Sequence, residues 1–293
     1  MLTCALMVVR DEAEILAFNL HYHLSVGFDR IFVLNHCSND GTQAILDQFR
    51  CDDRVVCMSE ANPTFDHEKL ANVLLEHVVA QCAPDWIFLL DADEFLVVRK
   101  PLIEFLLEKE RAGVTYGTIK WLNSLPQPGI GHLLRTTLFY EPWAEREWQH
   151  EGHFRKAFAK PQPGLRVVVG GHYFRIECSA PEDDGNKTPV LLPLTQAHLC
   201  HYENRLNAQG LLRKWQNLVE HLIEPNYPPD APWHEKIDRM AQYVRYYKSA
   251  PDLLEGEWFR SHRTFWSALV PPDRKRVDTT VRDWLDGSGL LND

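Results

Sequence analysis

The residues with the clearest chemical potential are two aspartates that follow an apolar run. Residues 86–90, Trp-Ile-Phe-Leu-Leu, lead directly into Asp91-Ala92-Asp93-Glu94. Two carboxylates this close repel each other unless a cation lies between them. Hard divalent ions such as Mg²⁺ and Mn²⁺ prefer oxygen ligands and often share them with a substrate's phosphates. The pattern therefore predicts a metal site at Asp91 and Asp93, with a solvated acidic loop as the alternative because a bare D-x-D is common by chance.

The first hundred residues alternate between apolar runs of strand length and segments with helical spacing. This alternation predicts a parallel sheet with right-handed crossovers. The acidic pair then falls just beyond the carboxyl end of a strand, where open α/β sheets bind their ligands. The expected strands are Thr3–Val9, 29–34, 54–58 and 86–90, and the expected helices are 12–26, 42–49 and His67–Cys82.

Beyond residue 95 the pattern changes. We expect a helix at 101–111 and strands at 117–122, 154–159, 166–176 and 190–199. Residues 123–151 are rich in Pro, Gly, His and Trp, and we expect a long functional loop with short elements there. From residue 206 the spacing is helical, with helices at 206–223, 234–248, 258–269 and 273–285. The predicted organisation is a catalytic domain over 1–205 with a helical extension over 206–293 packed on it.

Composition limits the class of protein. The chain has 293 residues, 45% of them hydrophobic, and a formal net charge of −10, which argues against a general nucleic-acid binder. Its apolar runs are too short for a transmembrane segment, and the N-terminus is typical of a first strand and not of a signal peptide. Seven cysteines without zinc-type spacing favour free thiols in a reducing cytoplasm. We expect a cytoplasmic protein, with contact at the inner face of the membrane as an option.

Five motifs in order resemble one known family. They are Val9-Arg10-Asp11-Glu12 after the first strand, 27–33 (Gly-Phe-Asp-Arg-Ile-Phe-Val), 38–42 (Ser-Asn-Asp-Gly-Thr), 91–95 (Asp-Ala-Asp-Glu-Phe), and His201-Tyr202 with Lys214 downstream. Together they resemble the GT-A-fold glycosyltransferases of the family-2-like group, including the branch related to family 92. The resemblance covers residues 1–215. It implies a GT-A fold: a Rossmann-like, mostly parallel central sheet flanked by helices.

The resemblance implies a metal-dependent transfer of a sugar from a nucleotide-sugar donor, UDP- or GDP-linked, to a hydroxyl of a glycan or glycolipid. Transfer with inversion is the usual outcome in this group. The implied donor-binding residues are Val9, Arg10, Glu12, Asn35, Asp40, Lys69, Asp91 and Lys156. Many relatives carry aspartate where this chain has Asn35, which leaves the donor base open. A helix cap is the alternative role for Asp40, and a solvated first-turn charge is the alternative for Lys69.

The resemblance also implies the metal ligands. Asp93 is expected to bind Mn²⁺ or Mg²⁺ directly, and Asp91 to bind the ribose or, through water, the ion. Relatives often add a late histidine, and His201 fits that place better than His198. Because residues three apart on a strand face opposite ways, both histidines are not expected to bind one ion. A buried structural histidine is the alternative for each.

The catalytic base is expected after the sheet, where family-2 enzymes place the acceptor. Glu151 is the first candidate, with Glu147 and His153 as further candidates. Trp121, Trp143 and Trp148 could stack on sugar rings or belong to the core.

Two other functions share parts of this pattern. A D-x-D phosphatase normally carries its motif on the first strand, whereas here it follows about the fourth. A non-catalytic nucleotide- or carbohydrate-binding protein fits the departure at Asn35 and the lack of a clear glutamate–aspartate pair, but does not explain the intact Asp91 and Asp93.

Overall fold

A computed structural model describes residues 1–62, 66–125, 132–141, 155–168, 172–176, 189–202 and 272–291. All statements below concern these ranges. Within them, no helix combines the length and the apolar character that crossing a membrane requires. The six described cysteines are free thiols.

The core of the fold is a four-stranded parallel sheet in the order β3-β2-β1-β4. Its strands are β1 (Thr3–Val9), β2 (Arg30–His36), β3 (Val55–Glu60) and β4 (Trp86–Leu89). The chain builds outward from β1 to β3 on one side and then continues with β4 on the other side of β1. This arrangement confirms the α/β class predicted for the first hundred residues, and it creates a switch point between β1 and β4.

Antiparallel strands extend the sheet beyond β4. Strand β8 pairs with β4 and β6, β6 pairs with β7, and β12 lies between β5 and β6. A separate two-stranded sheet pairs β9 with β10. The bounds are β5 (Glu94–Val98), β6 (Tyr116–Ser124), β7 (Leu138–Tyr140), β8 (Arg155–Ala159), β9 (Leu165–Val168), β10 (Tyr173–Ile176), β11 (Val190–Leu191), β12 (Ala197–His201) and β13 (Lys275–Val277).

Five helices are described: α1 (Leu16–Val26), α2 (Thr42–Gln48), α3 (His67–Cys82), α4 (Leu102–Arg111) and α5 (Thr280–Ser288). Helix α1 ends as the sequence predicted, at Gly27, whose φ of 111° suits a residue without a Cβ. Helix α3 has the predicted bounds. Its N-cap is Asp66, whose side chain accepts a hydrogen bond from the backbone N–H of Lys69.

The parallel strands are apolar on both faces because both faces are covered. Alternate residues of β1 pack into two different clusters: Ala5 and Met7 on the side that includes α1, Cys4 and Leu6 on the side of α3. The same division holds along β2 and β4. A strand buried this way has no polar alternation, which is why its apolar run and its polar end are so distinct in the sequence.

After the acidic motif, the chain turns at residues 91–93 and re-enters the sheet as β5, which the sequence did not predict. Within the described part of the predicted loop over 123–151, the end of β6 at Ser124 and β7 are short elements of the kind expected there. One helix differs from the expectation. The predicted helix over 273–285 begins only at Thr280, after the short strand β13. The predicted helices over 206–269 lie outside the described residues.

The C-terminal segment 272–291 packs against the sheet domain. Strand β13 pairs with β7, and Trp284 of α5 contacts the ring of Tyr22 edge-on at 5.1 Å. The side chain of Asp278 lies 3.1 Å from both Arg99 and His198. These contacts join the end of the chain to α1, β5 and β12.

Helix α1 carries two fully buried polar residues, Asn19 and His23, on the face that covers β5. The backbone N–H of Leu96 donates to His23 Nε2 at 3.1 Å, so the ring proton lies on Nδ1 and is donated to Asn19 Oδ1 at 2.9 Å. Burial lowers the pKa of His23 from its usual 6.5 to about 3. A second ring proton would also displace the Leu96 hydrogen bond.

The buried His23 predicts acid sensitivity. Its pKa is lowered on folding, so between pH 6.5 and about 3 the unfolded chain binds more protons and stability falls with decreasing pH. We expect this one group to remove about 2 kcal/mol of unfolding free energy between pH 6.5 and 5. Urea unfolding at several pH values measures the slope.

The variant His23→Gln should be less stable at pH 7, but its unfolding free energy should fall less steeply between pH 6.5 and 5, because the contribution of His23 is gone. His77→Gln, on the exposed face of α3, is the matched control and should keep the wild-type slope. An unchanged slope in His23→Gln would show that the ring is not the acid-sensitive group.

Candidate active site

The predicted functional residues of the first four strands gather at one edge of the sheet. The carboxyl ends of β1, β2 and β4 place Arg10, Asn35 and Asp91 along this edge, on both sides of the switch point between β1 and β4. Ligands of open α/β sheets bind at such a point. The strand order thus brings these predicted residues to one edge of the sheet.

The turn after β1 is held by the turn after β2. Asp11 adopts a left-handed backbone with φ of 54°, its N–H donates to Ser38 Oγ at 3.0 Å, and its carboxylate accepts from the backbone of Asn39 at 2.6 Å. Arg10 Nη1 lies 3.3 Å from His36 Nδ1. The two loops form one hydrogen-bonded unit, and its left-handed backbone at Asp11 is the kind of strain found at binding sites.

The polar residues of the second turn are mostly engaged within this unit. Both carboxylate oxygens of Asp40 accept backbone hydrogen bonds, from Ala13 at 3.0 Å and from Thr42 at 2.8 Å. Asn35 donates to Gln43 at 2.8 Å and accepts from Ser38 at 2.5 Å. These contacts tie the Asp40 carboxylate to the backbone on both sides of the two interlocked turns, next to Gly41, the N-cap of α2.

Asp91 is paired with a buried lysine. The antiparallel register that sets Phe88 opposite Phe158 brings Lys156 beside the end of β4. Lys156 is 2% exposed, and its Nζ lies 2.7 Å from Asp91 Oδ2 and 3.8 Å from Glu94 Oε1. Lys156 is one of the predicted donor-binding residues. Its described contacts pair it with Asp91, whose charge it offsets.

The charges of this cluster follow from burial and pairing. Burial opposes the charges of Asp91 and Lys156, but their mutual attraction prevails: the pKa of Asp91 is lowered and that of Lys156 is raised. Burial raises the pKa of Glu94 well above its usual value. Burial also lowers the pKa of nearby His67 to about 4, so this ring is neutral. His67, Asp91 and Lys156 line a small cavity between α3 and the ends of β1 and β4.

Asp93 points to a different partner. Strand β12 sets His201 opposite Glu94 on β5 and opposite Asn123 on β6. His201 Nδ1 lies 2.9 Å from Asn123 Oδ1, and its Nε2 lies 3.7 Å from Asp93 Oδ1. The amide oxygen fixes the ring proton on Nδ1 and turns Nε2 towards the carboxylate, as the outer partners of metal-binding histidines do. Two of the predicted metal ligands, Asp93 and His201, are thereby brought together.

The ring of Trp121 packs beside this pair. The ring of Trp121 lies 4.4 Å from that of His201 and 5.2 Å from that of His172. His172 Nδ1 in turn lies 2.8 Å from the carbonyl oxygen of Arg155. Trp121 packs against His201, and its side chain is half-buried.

A buried amide shapes the turn that separates the two aspartates. Asn19 Nδ2 donates to the carbonyl oxygens of Ala92 at 2.9 Å and Glu94 at 2.8 Å, with a weaker contact to Asp91 at 3.4 Å. The backbone N–H of Asp91 donates to Glu94 Oε2 at 2.9 Å. Sequence reasoning missed Asn19 as a site residue, although a polar residue on the buried stripe of an amphipathic helix is a signal for such a role.

The remaining predicted residues are not joined to this cluster. Val9 is buried in the core, so it can offer a ligand only its backbone. The backbone N–H of Glu12 donates to Thr42 Oγ1 at 2.8 Å. Lys69 is exposed on α3, and within the described residues no contact links its side chain to the acidic cluster. Glu147, Glu151, His153, Trp143 and Trp148 lie outside the described residues.

No protein-family model matches the chain, and no curated protein matches it. Among solved structures, S. aureus TarS 1–349 in complex with UDP is 15% identical with a TM-score of 0.35, covering 47% of this chain and 40% of that one. The complex of TarS 1–349 with UDP-GlcNAc is also 15% identical with a TM-score of 0.35, and the match covers 47% of this chain and 39% of that one. A further TarS 1–349 structure is 12% identical with a TM-score of 0.45, covering 90% and 77%. The chain thus spans about two fifths of the length of the first two, and none of these overlaps assigns a reaction to it.

The Asn19 contacts predict that this amide fixes the turn that carries Asp93, a predicted metal ligand. Asn19→Ala leaves two carbonyl oxygens of the acidic turn without their donor, and we expect a loss of about 3 kcal/mol in unfolding free energy. We also expect Mn²⁺ to bind at least about tenfold more weakly, because the turn no longer fixes Asp93. Denaturant unfolding and isothermal titration calorimetry measure the two effects.

Asn72→Ala is the matched control. Asn72 also holds backbone, donating to Val167 O at 2.8 Å and accepting from Val167 N at 2.9 Å, but it does so between α3 and β9. This control should lose stability and keep its Mn²⁺ affinity. Equal Mn²⁺ affinity in the two variants would contradict the role given to Asn19.

Proposed function

We propose that the chain is a metal-dependent glycosyltransferase that moves a sugar from a nucleotide-sugar donor to a hydroxyl of a glycan or glycolipid, with inversion. The observation that carries this proposal is the approach of Asp93 Oδ1 to His201 Nε2, 3.7 Å apart, at the sheet edge that also presents Arg10 and Asp91. Three strands and one turn converge to place these groups. The sequence resemblance supplies the reaction class for which such a site is suited.

The donor atoms fit Mn²⁺ or Mg²⁺. The separation of 3.7 Å is too long for a hydrogen bond. It is close to the spacing of about 3 Å between neighbouring ligands on an octahedral ion with bonds near 2.1 Å. A carboxylate and an imidazole held this way would bind the ion while leaving positions for phosphate oxygens. When bound, such a cation neutralises the charge that gathers on the leaving nucleoside diphosphate.

Different residues of the chain are proposed to bind different parts of the donor. Arg10 and the interlocked turns after β1 and β2 are proposed to hold the nucleoside, with Glu12 and Asn35 facing the base or ribose. Asp91, held by Lys156, is proposed to accept from the ribose hydroxyls, because a carboxylate already neutralised by an ammonium adds little attraction for a second cation. Lys156 is therefore proposed to position Asp91 and not to bind phosphate.

The acceptor is proposed to enter beside Trp121, whose partly exposed ring suits the apolar face of a sugar. Glu151 stays the first candidate for the base that removes the hydroxyl proton as the oxygen attacks, with Glu147 and His153 as alternatives. A cytoplasmic location, with contact at the inner face of the membrane, stays part of the proposal.

The experiment that tests the function is release of nucleoside diphosphate from a panel of UDP- and GDP-sugars with Mn²⁺. Asp93→Asn keeps the shape of the side chain and removes its charge, and we expect the rate to fall about 100-fold. Chelation of the metal should have the same effect on the unmodified chain. Asp53→Asn, an exposed acid near the amino end of β3, is the charge-matched control and should stay within about twofold of the original rate.

Each other outcome points elsewhere. Release at the original rate from Asp93→Asn would contradict the proposed site. Nucleotide binding without turnover on any acceptor would support the binding-protein alternative, and phosphate release from small esters without nucleotide binding would support the phosphatase.

A further inference from the structure

A second group of metal-ligating side chains lies on the opposite face of β12. His198, Cys200 and Asp278 are all buried, and one ligand atom from each lies within 4.8 Å of the others. His198 and Cys200 are two residues apart on the strand, so they share a face, whereas His201 points to the other side. Asp278 comes from the C-terminal segment, directly after β13. The site proposed above uses none of these three residues.

The histidine of this group is oriented as a ligand. His198 Nδ1 lies 3.3 Å from the carbonyl oxygen of Leu194, which directs Nε2 towards Asp278. Nε2 approaches Asp278 Oδ2 to 3.1 Å, yet this buried nitrogen has no hydrogen bond of acceptable geometry among the described residues. Metal-bound histidines typically donate their other ring N–H to a carbonyl in this way. Nε2 and the Asp278 carboxylate thus face each other at a distance that two ligands of one cation can adopt.

The other two groups complete a donor set of borderline softness. Asp278 is fixed by the backbone N–H of Thr280, which donates to Oδ1 at 2.8 Å, so Oδ2 is left facing His198. Arg99 also contacts Oδ2 at 3.1 Å, but its side chain is 51% exposed. An arginine at the surface can turn into water or share the oxygen, which has two lone pairs. One thiolate, one imidazole and one carboxylate suit Zn²⁺, not Mg²⁺ or Mn²⁺.

We propose that His198, Cys200 and Asp278 bind one zinc ion that fastens the C-terminal segment to β12. Three protein ligands leave the fourth tetrahedral position for a water molecule. Cys200 gives up its thiol proton to solvent on binding. The ion joins two segments far apart in the chain. It lies on the face of β12 opposite to His201. The inference is independent of the proposed glycosyltransferase activity.

The test uses metals alone with the full chain. After dialysis against a slight excess of zinc and then metal-free buffer, we expect one zinc per chain by elemental analysis. Zinc at about 100 times its dissociation constant should raise Tm by about 5 °C. Cobalt in its place should give the near-ultraviolet absorption of a sulfur–cobalt bond, which Cys200→Ala abolishes. Cys4→Ala, a second buried thiol remote from the cluster, is the matched control and should keep the band.

The anomalous signal of zinc in crystals of the unmodified chain decides the matter if Cys200→Ala fails to fold. A peak between His198 Nε2 and Cys200 Sγ is the expected result. A chain that retains no zinc, a cobalt band that survives Cys200→Ala, or crystals without that peak would each overturn the proposal.

Discussion

The site depends on how one buried amide bends the chain after β4. Asn19 binds the carbonyl oxygens of the acidic turn, and His23 binds Asn19 and the backbone of β5. Without donors from α1, the carbonyl groups of Ala92 and Glu94 would lose these hydrogen bonds while buried, and the turn would be held by fewer contacts. The chain can therefore re-enter the sheet at once as β5. The two aspartates are held on the turn itself, between two strands of the same sheet.

This turn gives two neighbouring carboxylates different electrostatic surroundings. Asp91 faces Lys156, and Asp93 faces His201. Lys156 offsets the charge of Asp91, so the repulsion between the two acids is relieved without a shared cation. In the proposed function, Asp93 and the imidazole beside it bind the metal ion, and Asp91 positions the donor.

Strand β12 joins these features to the end of the chain. One face of the strand carries His201 towards the acidic turn, and the other carries His198 and Cys200 towards Asp278. The C-terminal segment also pairs with β7 and packs Trp284 on Tyr22, which lies on the same helix as Asn19. Displacing this segment would disturb α1 and β12 together, and both of these elements position the proposed metal site.

The sequence predicted the parts of this arrangement that depend on local pattern. Apolar runs located β1, β2, β3 and β4. The polar residues after them gave the prediction that ligands bind at the carboxyl ends of these strands. The pairing of Asp93 with His201 followed from family resemblance and not from spacing, because their contact depends on the register of β12 against β5. The same limit explains why β5, Asn19 and the pairing of Lys156 with Asp91 were missed: each depends on contacts between distant segments. The turn that contains Asp40 was recognised from its local sequence, but the hydrogen bond from Ala13 to Asp40 joins two turns distant in the chain and was not.

In the proposed site, Asp93, His201 and a nucleoside diphosphate share one divalent ion. Electron–nuclear double resonance of Mn²⁺ bound to the chain with UDP or GDP detects each of these ligands. We expect a nitrogen coupling from histidine, lost in His201→Gln, together with a phosphorus coupling from the diphosphate. A spectrum with neither coupling, or a nitrogen coupling that persists in His201→Gln, would show that these groups do not share the ion.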